Sequence, residues 1–217
     1  MSLTNENTKY ILEIGLLNDK WCNLKIVSNM SNKPIVDTEI LAILNDYHLF
    51  LDCEKHVDMP FYVDRVDSNH LGSLKGETVL TANNPLGNTQ LVCEVKEKNE
   101  YKYTFKILSD SIQSRVLFRM DEGDYTHWNR HLPIPVEQQQ VPTPHFHKKG
   151  DDGIEMAYRT ARLEEVSSPL NIHDGFEIFC EESHINQEQI EIQVLEAGQL
   201  SLVFEPNPDP LQGVIFP

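Results

Sequence analysis

Cysteine is sparse in this chain and never paired by spacing. Cys22, Cys53, Cys93 and Cys180 are scattered with no Cys-x-x-Cys among them, which excludes a zinc ribbon and a thioredoxin-type redox pair. The apolar neighbours of Cys93 and Cys180 mark them as buried thiols, not exposed nucleophiles. Long apolar runs are also missing: no segment approaches the roughly 18–20 consecutive apolar residues of a membrane-spanning helix. The N-terminus lacks the basic region and apolar run of a secretory leader, so a cytoplasmic location away from membranes is expected. Bases are few, 18 Lys and Arg against 34 Asp and Glu, and the net charge of −16 would repel a phosphate backbone from the average surface. Direct nucleic-acid binding is therefore not expected, whereas a protein partner is. Three catalytic signatures are absent too: a Gly-Lys-Ser/Thr phosphate loop, a Gly-x-Ser-x-Gly elbow and a His-Glu-x-x-His helix.

What remains is a globular composition, with 40% hydrophobic and 24% charged residues, sufficient to form a core. A length of 217 residues suits one core with an appended portion. The acids are uneven. From residue 181 onward Glu181, Glu182, Glu188, Glu191, Glu196, Glu205 and Asp209 occur without a single Lys or Arg. They alternate with apolar residues, as on a strand with one wet face; the alternative is an acidic decoy that occupies a basic protein partner.

Along the chain, residues 10–17 carry apolar positions at mixed spacing and 21–27 alternate as a strand does. Residues 35–44 fit a short helix or a buried strand equally well. The runs 48–53 and 61–66 are β-rich, with Pro60 at a turn or edge between them. Gly72, Gly76, Asn83-Asn84-Pro85 and Gly87-Asn88 crowd residues 68–90, which read as loops around one short strand at 78–81. That segment is the expected boundary between an N-terminal α/β portion, 1–70, and a main body, 90–217, if the two are not one continuous domain. In the main body 91–95, 101–107 and 116–120 have strand patterns joined by short polar links, predicting antiparallel hairpins. The proline-rich 132–144 must be an extended loop, because proline removes a ladder donor and fixes φ. After a turn at 148–153 the pattern predicts a strand over 154–163. A C-terminal helix near 173–184 follows, with Phe176, Phe179, Cys180 and His184 at helical spacing and Asp174 as its cap. Strands at 190–195 and 200–204 close the chain. The predicted class is α+β, led by an antiparallel sheet with few helices.

The chemistry concentrates between Asp121 and His147, where four of the nine histidines fall. In an extended segment His145 and His147 lie on one face, roughly 7 Å apart along the chain, so both imidazoles can reach one metal. His127 and His131 can add further ligands, and Asp121, Glu122 or Asp124 a carboxylate. Such a mixed sphere suits zinc, manganese or iron. Structural work is the competing reading, since histidines near turns commonly bond backbone groups. His48, His56, His70, His173 and His184 have no clustered partners in sequence. Arg119, Arg130, Arg159 and Arg162 are candidates for an anion site or for ordinary ion pairs, and Arg119, Asp121 and Asp124 are the catalytic candidates.

The motifs Phe118-Arg119-Met120-Asp121, His127-Trp128-Asn129, Pro144-His145-Phe146-His147, Gly150-Asp151-Asp152, Ala157-Tyr158 and Phe176-Glu177-Ile178-Phe179-Cys180 occur in this order. Residues 116–184 thereby resemble an uncharacterised family of small bacterial and phage proteins, in which a His/Asn loop precedes a Pro-His-x-His strand. The chain departs from that pattern in lacking a compact His-x-Asn-Pro-Asp-Gly turn, since Arg130 and His131 follow Asn129. The resemblance implies a role in a mobile-element or phage-defence system and names no reaction. Three readings follow: a cytoplasmic binding or accessory protein, a metal-dependent hydrolase acting on a phosphodiester through His127, His131, His145 and His147, and the acidic decoy.

Overall fold

The computed structural model describes residues 34–67, 70–166, 168–186 and 190–195. The runs 10–17, 21–27 and 200–204 lie outside them. From Ile35 on, the described residues form one compact unit. It begins where the Asp37 carboxylate accepts the Ile40 N–H at 3.1 Å and caps helix α1, Thr38–Ala42. Helix α2, Leu44–Asp52, follows directly. The ambiguous run 35–44 is thus helical at its centre, and 48–53, expected to be β, is mostly the second half of α2. Tyr47 and Phe50, three residues apart, are both wholly buried and define its inner face, a helical period hidden in an apolar run short enough to fit either pattern.

The strands are β1 Lys55–Val57, β2 Phe61–Val63, β3 Arg65–Val66, β4 Ser73–Ala82, β5 Thr89–Lys96, β6 Asn99–Ser109 and β7 Val116–Glu122. They continue with β8 His127–Trp128, β9 Gln140–Val141, β10 His145–Lys149, β11 Glu155–Tyr158 and β12 Ile192–Val194, while α3 and α4 span Ala161–Glu165 and Ile172–Glu182. One antiparallel sheet runs β1-β4-β5-β6-β7-β10-β11, with β3 also on β4. β2 pairs with β12 in parallel, and β8 with β9 as a separate ribbon. The class is α+β and predominantly antiparallel sheet, and none of the described helices is long and apolar enough to cross a membrane.

Two strand expectations need correction. β4 is ten residues long, not a short strand at 78–81, because Gly76 lies inside it: a Cβ there would sit 2.3 Å from the Tyr62 carbonyl oxygen. The glycine marks close backbone approach within a sheet, not a loop. The strand expected over 154–163 stops at Tyr158, and Thr160 accepts the Leu163 N–H to cap α3.

Register fixes which side chains face which way. Phe105 stands opposite Cys93 and Met120, and Met120 opposite Phe146. That face meets α4, whose Phe176 and Phe179 rings lie 5.3 Å from Phe105. Asn171, not Asp174, is the α4 cap: its side-chain oxygen accepts the Asp174 N–H at 3.0 Å. Gly175 lets the helix settle, since a Cβ would meet the buried Tyr103 hydroxyl at 1.9 Å. Lys55 is buried where α2 and α4 end, and its ammonium donates to the carbonyls of Leu51, Cys53 and Ser183 at 3.0, 2.9 and 2.9 Å.

Candidate metal centre

The period of two along a strand sends alternate residues to the opposite face. With Phe146 and Met120 in the core, His145 and His147 on β10 must share the other face with their cross-strand partners on β7, Asp121 and Arg119. On the far side of β10, His147 stands opposite Ala157 and Lys149 opposite Glu155, so Glu155 joins the same face. Six chemically active side chains are thereby gathered by hydrogen-bond register alone. The ribbon β8/β9 folds back over them, and the His127 ring lies 4.8 Å from that of His147 and 6.1 Å from that of His145.

His145 and His147 are each 2% exposed. One ligand atom each from Asp121, His145 and His147 lie within 4.8 Å of one another, with no ion present. His145 has its tautomer fixed: Nδ1 is 3.2 Å from the Pro142 carbonyl, which can only accept, so Nδ1 carries the proton and Nε2 keeps its lone pair. That is the arrangement a metal-ligating histidine requires. His147 Nε2 is 3.1 Å from Asp121 Oδ2 and His147 Nδ1 is 3.2 Å from Glu155 Oε1, yet neither contact is aligned as a hydrogen bond. Two ligands each about 2.0–2.1 Å from a shared metal stand roughly 3.0–3.4 Å apart with their lone pairs aimed at a third point. The Nε2···Oδ2 contact has that separation.

Arg119 ties the carboxylates together, its Nε 3.1 Å from Asp121 Oδ2 and its terminal nitrogen 3.2 Å from Glu155 Oε1. Burial lowers the pKa of His145 to about 4, with the neighbouring His147 adding to the effect. His127 is lowered for the same reasons. Burial also opposes charge on His147, but Asp121 and Glu155 outweigh it and raise its pKa. Burial works against the Asp121 carboxylate as well, yet His147 and Arg119 hold it below the usual range, and His147 is the main cause that takes Glu155 down to about 2. His145 is thus a neutral base at neutral pH and Asp121 is held ionised, which gives a divalent cation two ready donors, and His147 becomes the third when it gives up its proton.

Of the residues singled out from sequence, Arg119, Asp121, His127, His145 and His147 come together. His131 makes no hydrogen bond, ion pair or ring contact with them, and Asp124 instead pairs with Lys102. Glu122 faces the other way, accepting the Leu170 and Gly123 N–H groups. Arg159 is spent on the Pro144 and Leu163 carbonyls, and Arg130 stacks over Trp128 with 5.8 Å between guanidinium carbon and ring centroid. Glu155 was not evident in the sequence, although the Gly150-Asp151-Asp152-Gly153 turn, once read as a tight hairpin, sets a register that delivers it.

A second group, Asp67, His70 and Glu94, also clusters. There His70 is largely exposed and its Nδ1 is 2.9 Å from Asp67 Oδ2, and Lys106 neutralises Glu94 at 2.8 Å. Those contacts account for the charges without a cation. Cys93 and Cys180 are wholly buried, and burial raises the pKa of both thiols, so neither of these two serves as a thiolate nucleophile. No protein-family model, curated protein or solved structure matches the chain.

Proposed function

We propose that the chain is a metal-dependent hydrolase, its metal held by His145, His147 and Asp121 and its substrate a phosphodiester. The observation that carries this reading is the convergence of a tautomer-fixed histidine, a buried histidine without an aligned hydrogen bond and a carboxylate on one sheet face. Two imidazoles and one carboxylate leave coordination positions open, and such a set accepts zinc, manganese or iron. The ion would lower the pKa of a bound water and meet the charge of the scissile group. Charge neutralisation falls to the metal because Arg119 and Arg159 are already engaged by protein groups. The resemblance of residues 116–184 to small bacterial and phage proteins supports a setting in a mobile-element or defence system.

The test is hydrolysis of an activated phosphodiester, bis(p-nitrophenyl) phosphate, by the chain reconstituted in turn with zinc, manganese and ferrous iron. Activity is expected with at least one metal and should fall at least a hundredfold in Asp121→Asn. A chain that holds metal but turns over neither this ester nor carboxylic esters would favour the binding or accessory reading instead.

A further inference from the structure

His145 and His147 are almost wholly buried, yet a metal and a substrate must reach them. What lies on them is the ribbon β8/β9 carrying His127, and what fastens that ribbon to the sheet beside the centre is Asn129. The Asn129 side chain is buried, and its amide forms a two-bond clamp on the outer edge of β11: Nδ2 donates to the Ala157 carbonyl at 2.7 Å, and Oδ1 accepts the Ala157 N–H at 2.9 Å. Ala157 is the residue that stands opposite His147. The Asn129 backbone is equally committed. Its N–H donates to the Gln139 carbonyl at 2.8 Å and its carbonyl accepts the Leu132 N–H at 3.1 Å, so both ends of the proline-rich loop hang from this one residue. The loop is closed on itself where Gln139 Nε2 donates to the Ile134 carbonyl at 3.0 Å. Its outer residues, such as Val136, are exposed.

A side-chain amide that pairs like a single residue of a strand is a reversible fastening: two neutral hydrogen bonds at one point, in place of a ladder. We infer that Asn129 is a positioning residue that latches a flap, residues 127–141, over the centre, setting the place of His127 against His147 and the rate at which metal and substrate enter. Opening requires the release of the Ala157 pair, of the contacts of His127 and of the buried Val141 side chain, while β7, β10 and β11 stay intact. This inference rests on the metal reading of the same site, and its test separates the two.

Metal-loaded chain is mixed with excess EDTA and the rate of zinc loss followed, comparing the unaltered chain with Asn129→Ala, Asn129→Asp and, as a ribbon control, Gln140→Ala. Asn129→Ala should lose zinc roughly ten- to a hundredfold faster while still binding one equivalent at saturation, because its ligands are untouched. Asn129→Asp, which can still accept the Ala157 N–H but cannot donate to its carbonyl, should fall between, and Gln140→Ala should match the unaltered chain. If Asn129→Ala does not fold, the Asn129→Asp comparison carries the test. Unchanged zinc loss in the folded variants overturns the latch. If the unaltered chain binds no zinc, the metal reading fails on its own, and the latch is read instead from modification of His145 and His147 by diethyl pyrocarbonate. That modification should quicken by a similar factor in Asn129→Ala, and an unchanged rate overturns the latch there too.

Discussion

At the scale of single residues, the centre is governed by how burial and charge divide protons among its histidines. His145, held near 4, is already a free base at neutral pH, whereas His147, raised by Asp121 and Glu155, must give up a proton before its Nε2 can bind metal. Zinc affinity should therefore climb with pH through the raised titration of His147 and should not be limited by His145. Calorimetry in two buffers of different ionisation enthalpy, near about pH 6.5, should show proton release on zinc binding that disappears in His147→Gln; release that persists in the variant contradicts the assignment. In the metal-free chain the signs are mixed. Glu155, depressed from 4.5 to about 2, contributes stability present above its unfolded pKa and lost as pH falls through that window. His145 is neutral when folded, so stability also falls as pH drops from 6.5 towards 4. His147 acts the other way, stabilising below its unfolded pKa and losing that contribution as pH rises through its folded one.

Elements explain how far the sequence could be read. The hairpin strands β5, β6 and β7 were legible because their alternation and short polar links are local properties, and each extends only a few residues past the expected limits. The 48–53 run was misread because its helical face rests on Tyr47 and Phe50, whose burial is a tertiary fact. The site was legible in part: His145-x-His147 announces itself, and Arg119, Asp121 and His127 stood out within the same stretch, but Glu155 joins them through cross-strand register, which no local pattern encodes. Asn129 was visible as a motif residue, and only its partner Ala157, 28 positions away, reveals a task. Lys55 gives the element scale its own test. Its ammonium joins the C-terminal ends of α2 and α4 through three carbonyls, and burial lowers its pKa only to about 8, so it stays charged at neutrality. Lys55→Met, which fills the space but leaves those acceptors without a donor, should cost about 1–3 kcal/mol in urea unfolding. A neutral result would mean that desolvating the ammonium cancels what its bonds supply.

For the whole molecule, the sheet has two chemistries. One face is a core of Phe105, Phe118, Met120 and Phe146 under α4; the other carries Arg119, Asp121, His145, His147 and Glu155 beneath the His127 ribbon. The core face holds the strands in register, and the register builds the centre, so the fold and the proposed chemistry depend on the same pairings of β7, β10 and β11. The strong negative charge of the chain, −16, draws cations to its surface in general, and a metal assay must therefore separate a built site from diffuse association. The most direct measurement is elemental analysis of protein purified without a His-tag or chelator, beside the His145→Ala/His147→Ala double variant, which has the same formal charge with histidine counted neutral. Close to one equivalent of zinc, manganese or iron in the unaltered chain and almost none in the double variant is the predicted result; equal metal in both, or none in either, contradicts the metal centre and returns these residues to a structural ion-pair network.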